Sequence, residues 1–190
     1  MVKSLEHISF TEIAERICAL YNEEQDALLL GMLGQEYIIR RDGVFLRGQK
    51  APDAHAAVVT DYLAASDTAS VLMPWRSIGD FTGTASPEFR KKVELPIIQY
   101  VPEIITRAKT LLPMMDGQPA PSIINSDFAI TVRALPKVYL HVELSQETQD
   151  FPADAWILFS NNASEFVAIR SLHSLAEMFK ERLLGLIRIY

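Results

Sequence analysis

The sequence predicts a single α+β domain over residues 1–190, with a mainly antiparallel sheet and helices packed mostly on one face. Three observations lead there. Apolar residues recur at helical spacing near both ends of the chain, and strict period-two alternation fills 128–144. Helical and strand-like segments also come in blocks rather than in a βαβ rhythm. With 190 residues, 49% apolar and 22% charged, the chain can bury one full core and has no room for two comfortable ones.

Ser9-Phe10-Thr11-Glu12 reads as a capping box, and Phe10, Ile13, Ala14, Ile17, Leu20 and Tyr21 extend the helix to Asn22. Cys18, at the edge of that stripe, reads as a small buried hydrophobe. Apolar runs at 37–40 and 44–46 flank Arg41-Asp42-Gly43, a hairpin signal because Asp-Gly readily takes positive φ. Pro52-Asp53 opens a helix capped by Asp53 and carrying His55, Val58, Val59, Tyr62 and Leu63. Residues 73–84 read as irregular, since Pro74, Gly79 and Gly83 break any period.

Ser86-Pro87-Glu88 restarts a helix, with Ser as cap, Pro at the first position and an acid in the first turn. A further helix is expected over 103–112, and 117–121 reads as a charge-free connector. Next come two alternating runs, Phe128, Ile130, Val132 and Val138, Leu140, Val142, Leu144. With the turn at 135–137, Val132 faces Leu140, Ile130 faces Val142 and Phe128 faces Leu144, so every apolar side chain shares one face. Residues 155–159 are apolar on both faces and read as a central strand. Ser171 starts a last helix that buries Leu172, Leu175, Phe179, Leu183 and Leu184.

Composition excludes several functions. Eighteen basic against 24 acidic residues give a net charge of −6, which argues against a nucleic-acid surface. One cysteine can form neither an internal disulfide nor a thiolate metal cage, and His7, His55, His141 and His173 are too dispersed for a local metal motif. No H-E-x-x-H, C-x-x-C, G-x-G-x-x-G, Walker loop or G-x-S-x-G elbow occurs. No cofactor and no metal are therefore expected, and the purified protein should be colourless. Glu6, Glu12, Glu15 and Arg16 interrupt the first twenty residues, which excludes a signal peptide. Charge-free runs reach only about ten residues where a membrane span needs roughly twenty. A cytoplasmic protein with no membrane contact is expected.

Two clusters remain as candidate sites. On the polar side of the 128–144 hairpin, Tyr139, His141 and Glu143 project together, with Thr131 opposite His141 and Arg133 opposite Tyr139. An imidazole among a carboxylate, a hydroxyl and a guanidinium can do acid–base work or hold an anion. The plain alternative is a solvated outer face, and the functional reading requires a helix or loop to roof it. Trp75, Arg76 and Asp80 form the second cluster, an aromatic, a cation and an anion within a Gly/Pro loop expected to line any pocket. Alternatively Trp75 fills core and Arg76 pairs with Asp80. Asp80-Phe81-Thr82-Gly83-Thr84 resembles an aspartyl-phosphate loop, yet 74–79 cannot form the buried strand such a loop follows, and a turn is the better reading.

Leu33-Gly34-Gln35-Glu36-Tyr37 through Asp42-Gly43, then Asp61-Tyr62-Leu63 and Pro74-Trp75-Arg76-Ser77-Ile78, resemble the family called domain of unknown function 3786. So do Phe128 to Glu143 around Ala134-Leu135-Pro136, and Asp150-Phe151-Pro152-Ala153-Asp154-Ala155-Trp156-Ile157-Leu158-Phe159. The resemblance covers roughly 28–187 and implies a protein of anaerobic bacteria or archaea, with no catalytic residue to carry over. Some members carry a cysteine-rich iron–sulfur segment, which Cys18 alone cannot supply. The expectation is a non-catalytic binding or accessory module in anaerobic metabolism, with a small molecule or a partner protein as ligand and homo-oligomers allowed. An enzyme using Glu143 as base, His141 as acid and Arg133 as anion anchor is the alternative. A purely structural subunit, marked by an exposed apolar patch, is the third.

Overall fold

Tight two-residue turns shape the first half of the chain. In the computed structural model, in which residues 9–189 are described, helix α1 (Phe10–Ile17) begins where the Ser9 hydroxyl accepts the Glu12 N–H. Glu6 and His7 lie outside the described residues. The helix stops well short of Asn22 because Cys18 turns left-handed, at φ 56°, and sends its N–H back to Ala14 and Glu15. Leu20–Asn22 is instead strand β1, and Cys18 is exposed rather than buried.

Strands β2 (Ala27–Met32), β3 (Gln35–Arg40), β4 (Gly43–Leu46) and β5 (Gln49–Lys50) follow as a meander, giving one sheet in the order β1-β2-β3-β4-β5. The expected hairpin at Arg41-Asp42 is present, with Arg40 opposite Gly43. Two further turns, Leu33-Gly34 (φ 52° and 70°) and Arg47-Gly48 (φ 52° and 78°), have positive φ at both corners. That geometry matches the twist of the strands it joins.

Pro52, not Asp53, occupies the cap position of α2 (Asp53–Tyr62), and no side chain bonds there. Asp53 acts as the first helical residue, its charge set against the positive helix end. Tyr62 is fully buried, donating its hydroxyl to the Ile17 carbonyl at 3.0 Å and accepting the Lys137 N–H at 3.1 Å. One phenol thus ties α1, α2 and the second sheet together. Tyr62→Phe should cost about 1–3 kcal/mol by leaving two buried main-chain groups unpaired. Urea unfolding of the two proteins checks this.

Within the stretch expected to be irregular, Ile78–Thr82 forms a short helix, α3, fixed by a reciprocal capping box between Ser77 and Asp80. A continuous helical run then comprises α4 (Pro87–Phe89), a π-turn (Arg90–Glu94) and α5 (Leu95–Ile98), followed by α6 (Val101–Leu111). Ser86 caps the run without a side-chain hydrogen bond. The supposed connector at 117–121 is largely strand β6 (Gly117–Ala120), which pairs antiparallel with β7.

Strands β7 (Phe128–Leu135) and β8 (Val138–Ser145) pair in the expected register: Val132 with Leu140, Ile130 with Val142, Phe128 with Leu144. Strand β9 (Asp154–Phe159) completes a second sheet of order β6-β7-β8-β9. The two hairpins therefore belong to two antiparallel sheets, not to one. The fold is α+β, and a single hydrophobic cluster draws on both sheets and on α1, α2, α6 and α7 (Ile169–Ile189).

Strand β9 is an edge, not the centre, and it looks central in sequence because its edge is covered. Arg76 pairs main chain to main chain with Phe159, at 2.9 and 2.8 Å. The π-turn brings up Arg90, which donates to the Ala155 carbonyl, and Glu94, which accepts the Ile157 N–H at 2.9 Å. A bare edge would invite pairing with another chain, and these contacts blunt it.

No helix among the described residues is long and apolar enough to cross a membrane.

Candidate functional site

The outer face of the second sheet is roofed. Alternation on β8 turns Tyr139, His141 and Glu143 away from the core, and register sets Thr131 opposite His141 and Arg133 opposite Tyr139. Trp75, delivered by the Arg76–Phe159 pairing, stacks on the His141 ring with centroids 4.9 Å apart and planes 18° apart. The 122–126 loop closes over Glu143: Ile123 N–H donates to Oε1 at 2.7 Å, and the Ser126 hydroxyl donates to Oε2. His141 Nε2 lies 2.8 Å from Glu143 Oε1, and each residue is only 1% exposed.

Burial by itself pushes the Glu143 carboxyl up. Ile123 N–H, the Ser126 and Ser122 hydroxyls and His141 outweigh it and hold the group below its usual range. Glu143 is therefore ionised and fully coordinated by donors.

Arg133 is not part of that cluster's hydrogen bonding. Its Nε donates to Asp116 Oδ2 at 2.7 Å, in a half-exposed pair beyond the roof. Arg76 and Asp80 do meet, but not as an ion pair: Arg76 donates to the Asp80 main-chain carbonyl at 2.7 Å and lies over the Phe81 ring. The Asp80 carboxylate instead accepts the Ser77 N–H and hydroxyl at 2.6 and 2.9 Å. Of the loop itself, Ser77, Ile78 and Gly79 border a cleft of about 480 Å³ beside Trp156.

A different place gathers cations at a cavity. The β2–β3 turn tucks under Met114 and is gripped by Arg182 of α7, which donates to the Leu33 carbonyl at 2.7 Å and to the Met114 carbonyl at 2.6 Å. Arg47, at the corner of the β4–β5 turn, faces the same hollow of about 300 Å³. Met178, Leu186 and Leu33 give it an apolar wall, and Glu181 stands at its edge.

At the inner wall, Tyr37 Oη is 2.8 Å from His55 Nδ1. Burial raises the Tyr37 phenol to about 12 and lowers His55, so both are neutral near pH 7. A second hollow of about 350 Å³ continues along Gln35, Leu46 and Gly48, with Arg47 and Arg182 lining both. Burial first, and then the neighbouring Arg47 charge, lower the Arg182 guanidinium. Neither arginine pairs with a carboxylate among the described residues.

Sequence reading missed this groove because its parts lie far apart: Tyr37 and His55 are on β3 and α2, and Arg182 is on the last helix. The available signal was the pair of X-Gly turns, Leu33-Gly34 and Arg47-Gly48, which fix where the strands reverse.

Among the described residues, no three His, Cys, Asp or Glu side chains gather as a metal site. Compared with known proteins, the chain matches no curated protein and no solved structure. The profile of a domain of unknown function, DUF3786, matches residues 9–182, which takes in both sheets, the roofed polar face and both arginines of the groove. The chain belongs to the DUF3786 family.

Proposed function

We propose that the two-arginine groove is a non-catalytic binding site for a small organic oxyanion, a carboxylate or phosphate with an apolar body. The observation that carries this reading is the convergence of Arg47 and Arg182 on one cavity without a carboxylate partner for either. Among the described residues, Arg47 and Arg182 stand against one carboxylate, Glu181, in the 300 Å³ hollow, and Glu36 lines the adjoining one. A planar fork of N–H donors suits carboxylate and phosphate oxygens. Arg182 is already oriented by two main-chain carbonyls, so little rotamer freedom remains to be lost on binding. The Tyr37–His55 pair offers a further hydrogen-bonding edge, and Leu33, Met178 and Leu186 suit the apolar part of the ligand.

Arg47 is exposed and supports no hydrogen bond within the described fold, so it can be removed cleanly. Thermal-shift titrations with benzoate, phenyl phosphate and, as the uncharged control, benzamide test the reading at matched ionic strength. Both anions should raise the melting temperature and benzamide should not. Arg47→Ala should weaken anion binding about 10–100-fold, the worth of one charge-assisted contact, while the free protein melts as before. Equal responses to benzoate and benzamide, or an unchanged response in Arg47→Ala, would remove the groove from consideration.

A further inference from the structure

The geometry points to a second activity at a separate place: hydrolysis of a small carboxylic ester on the outer face of β7 and β8, with Thr131 as nucleophile and His141 as general base. Glu143 orients the base. An ionised carboxylate can only accept, so the 2.8 Å contact to Glu143 requires the ring proton on Nε2 of His141. In the neutral imidazole, Nδ1 is then left with a bare lone pair. That nitrogen lies 3.3 Å from Thr131 Oγ1. The hydroxyl, imidazole and carboxylate thus stand in the order nucleophile, base, orienter, with the two ring nitrogens exchanged relative to the serine-protease arrangement.

Access is one-sided. Trp75 covers the His141 ring, and Ile123 and Ser126 close over Glu143. Thr131 alone of the three borders open space, a cleft of about 230 Å³ that it shares with Gln118, Arg133 and Tyr139. Register places Gln118 directly opposite Thr131 on the other flank from His141, so the three share one face of the sheet. Gln118 lines the cleft, and its amide N–H is the group we assign to a developing oxyanion. The small volume favours a short acyl group.

In the forward step, Thr131 Oγ attacks the ester carbonyl carbon while its proton passes to His141 Nδ1. The carbon–oxygen bond to the alcohol then breaks, and the alcohol leaves with that proton. Water next attacks the acyl-threonine, giving its proton to Nδ1. The threonine ester bond breaks, Thr131 recovers the proton, and the carboxylic acid departs. No oxidant, metal or co-reactant other than water is consumed.

Diisopropyl fluorophosphate tests the nucleophile directly, because attack by Thr131 forms a Thr–O–P bond and expels fluoride. Peptide mass spectrometry of the full chain should find one label per molecule, on Thr131. Hydrolysis of 4-nitrophenyl acetate should fall at least 100-fold in Thr131→Ala and recover in Thr131→Ser. Circular dichroism should show both variants folded. Labelling needs no variant, so the proposal stays testable even if Thr131→Ala misfolds. An unlabelled Thr131, or ester hydrolysis equal in Thr131→Ala and the native protein, overturns it. Either result would leave the oxyanion groove untouched.

Discussion

Glu143→Leu is expected to destabilise the protein by about 3–5 kcal/mol, the cost of stranding buried donors around a lost carboxylate. The Ile123 N–H, the Ser126 hydroxyl and His141 Nε2 all donate to Glu143, and both His141 and Glu143 are 1% exposed. Leucine has similar bulk, so the loss is electrostatic and not a cavity effect. Denaturant unfolding at pH 7 measures it; a cost below about 1 kcal/mol would mean that water reaches these groups and the roof is open. The same carboxyl predicts a pH dependence. Its pKa is held below the ordinary glutamate value in the folded state, because hydrogen bonds to the charged form outweigh burial. Stability from this group is therefore present above that value and is lost as pH falls through the lower, folded one. In Glu143→Leu, that part of the acid-side decline should be missing.

Gly34→Ala should cost about 3–4 kcal/mol, far more than the same change at Gly48. Both glycines have positive φ, 70° and 78°, so each substitution carries the left-handed penalty of about 1–2 kcal/mol. Their surroundings differ. A Cβ on Gly34 would stand 2.4 Å from the Met114 carbonyl oxygen and 2.8 Å from Met115 Cα, whereas nothing lies within 4 Å at Gly48. The Gly34 variant must push main chain aside, which adds a few kcal/mol more. It also shifts the Met114 carbonyl that helps hold Arg182, so oxyanion binding should fall with stability. Paired unfolding curves decide the matter. Equal costs at the two glycines would mean that the β2–β3 turn does not seat against Met114.

What was legible in the sequence was what period and register encode. The β7–β8 pairing could be read residue by residue because one face is wholly apolar, and a one-residue slip would bury Arg133 and Glu143 in its place. The same alternation exposed the His141 and Glu143 cluster. Other elements were hidden by local competition. Leu20 and Tyr21 fit the helical stripe of α1, but a left-handed Cys18 ends the helix and hands them to β1. Gly117–Ala120 contains a proline and no charge, so only its ladder to β7 marks it as strand. β9 carries apolar residues on both faces and reads as interior, while Arg90, Glu94 and Arg76 guard its outer edge.

The site divided along the same line. Its tightly spaced members, on neighbouring strands, appear in the pattern; the Arg47–Arg182 convergence depends on three turns and the path of α7, which no spacing in the chain records. Arg133 looked available because sequence shows its strand neighbours and not Asp116, which reaches it from just before β6.

The central claim is that Arg47 and Arg182 jointly hold an oxyanion, and titration of the arginine side-chain Nε–H signals with benzoate tests it most directly. The account predicts that the Arg47 and Arg182 signals shift together and saturate with one common dissociation constant, while Arg76 and Arg133, placed elsewhere in the fold, stay still. Shifts that grow linearly without saturation, or that spread evenly over all four arginines, would contradict it.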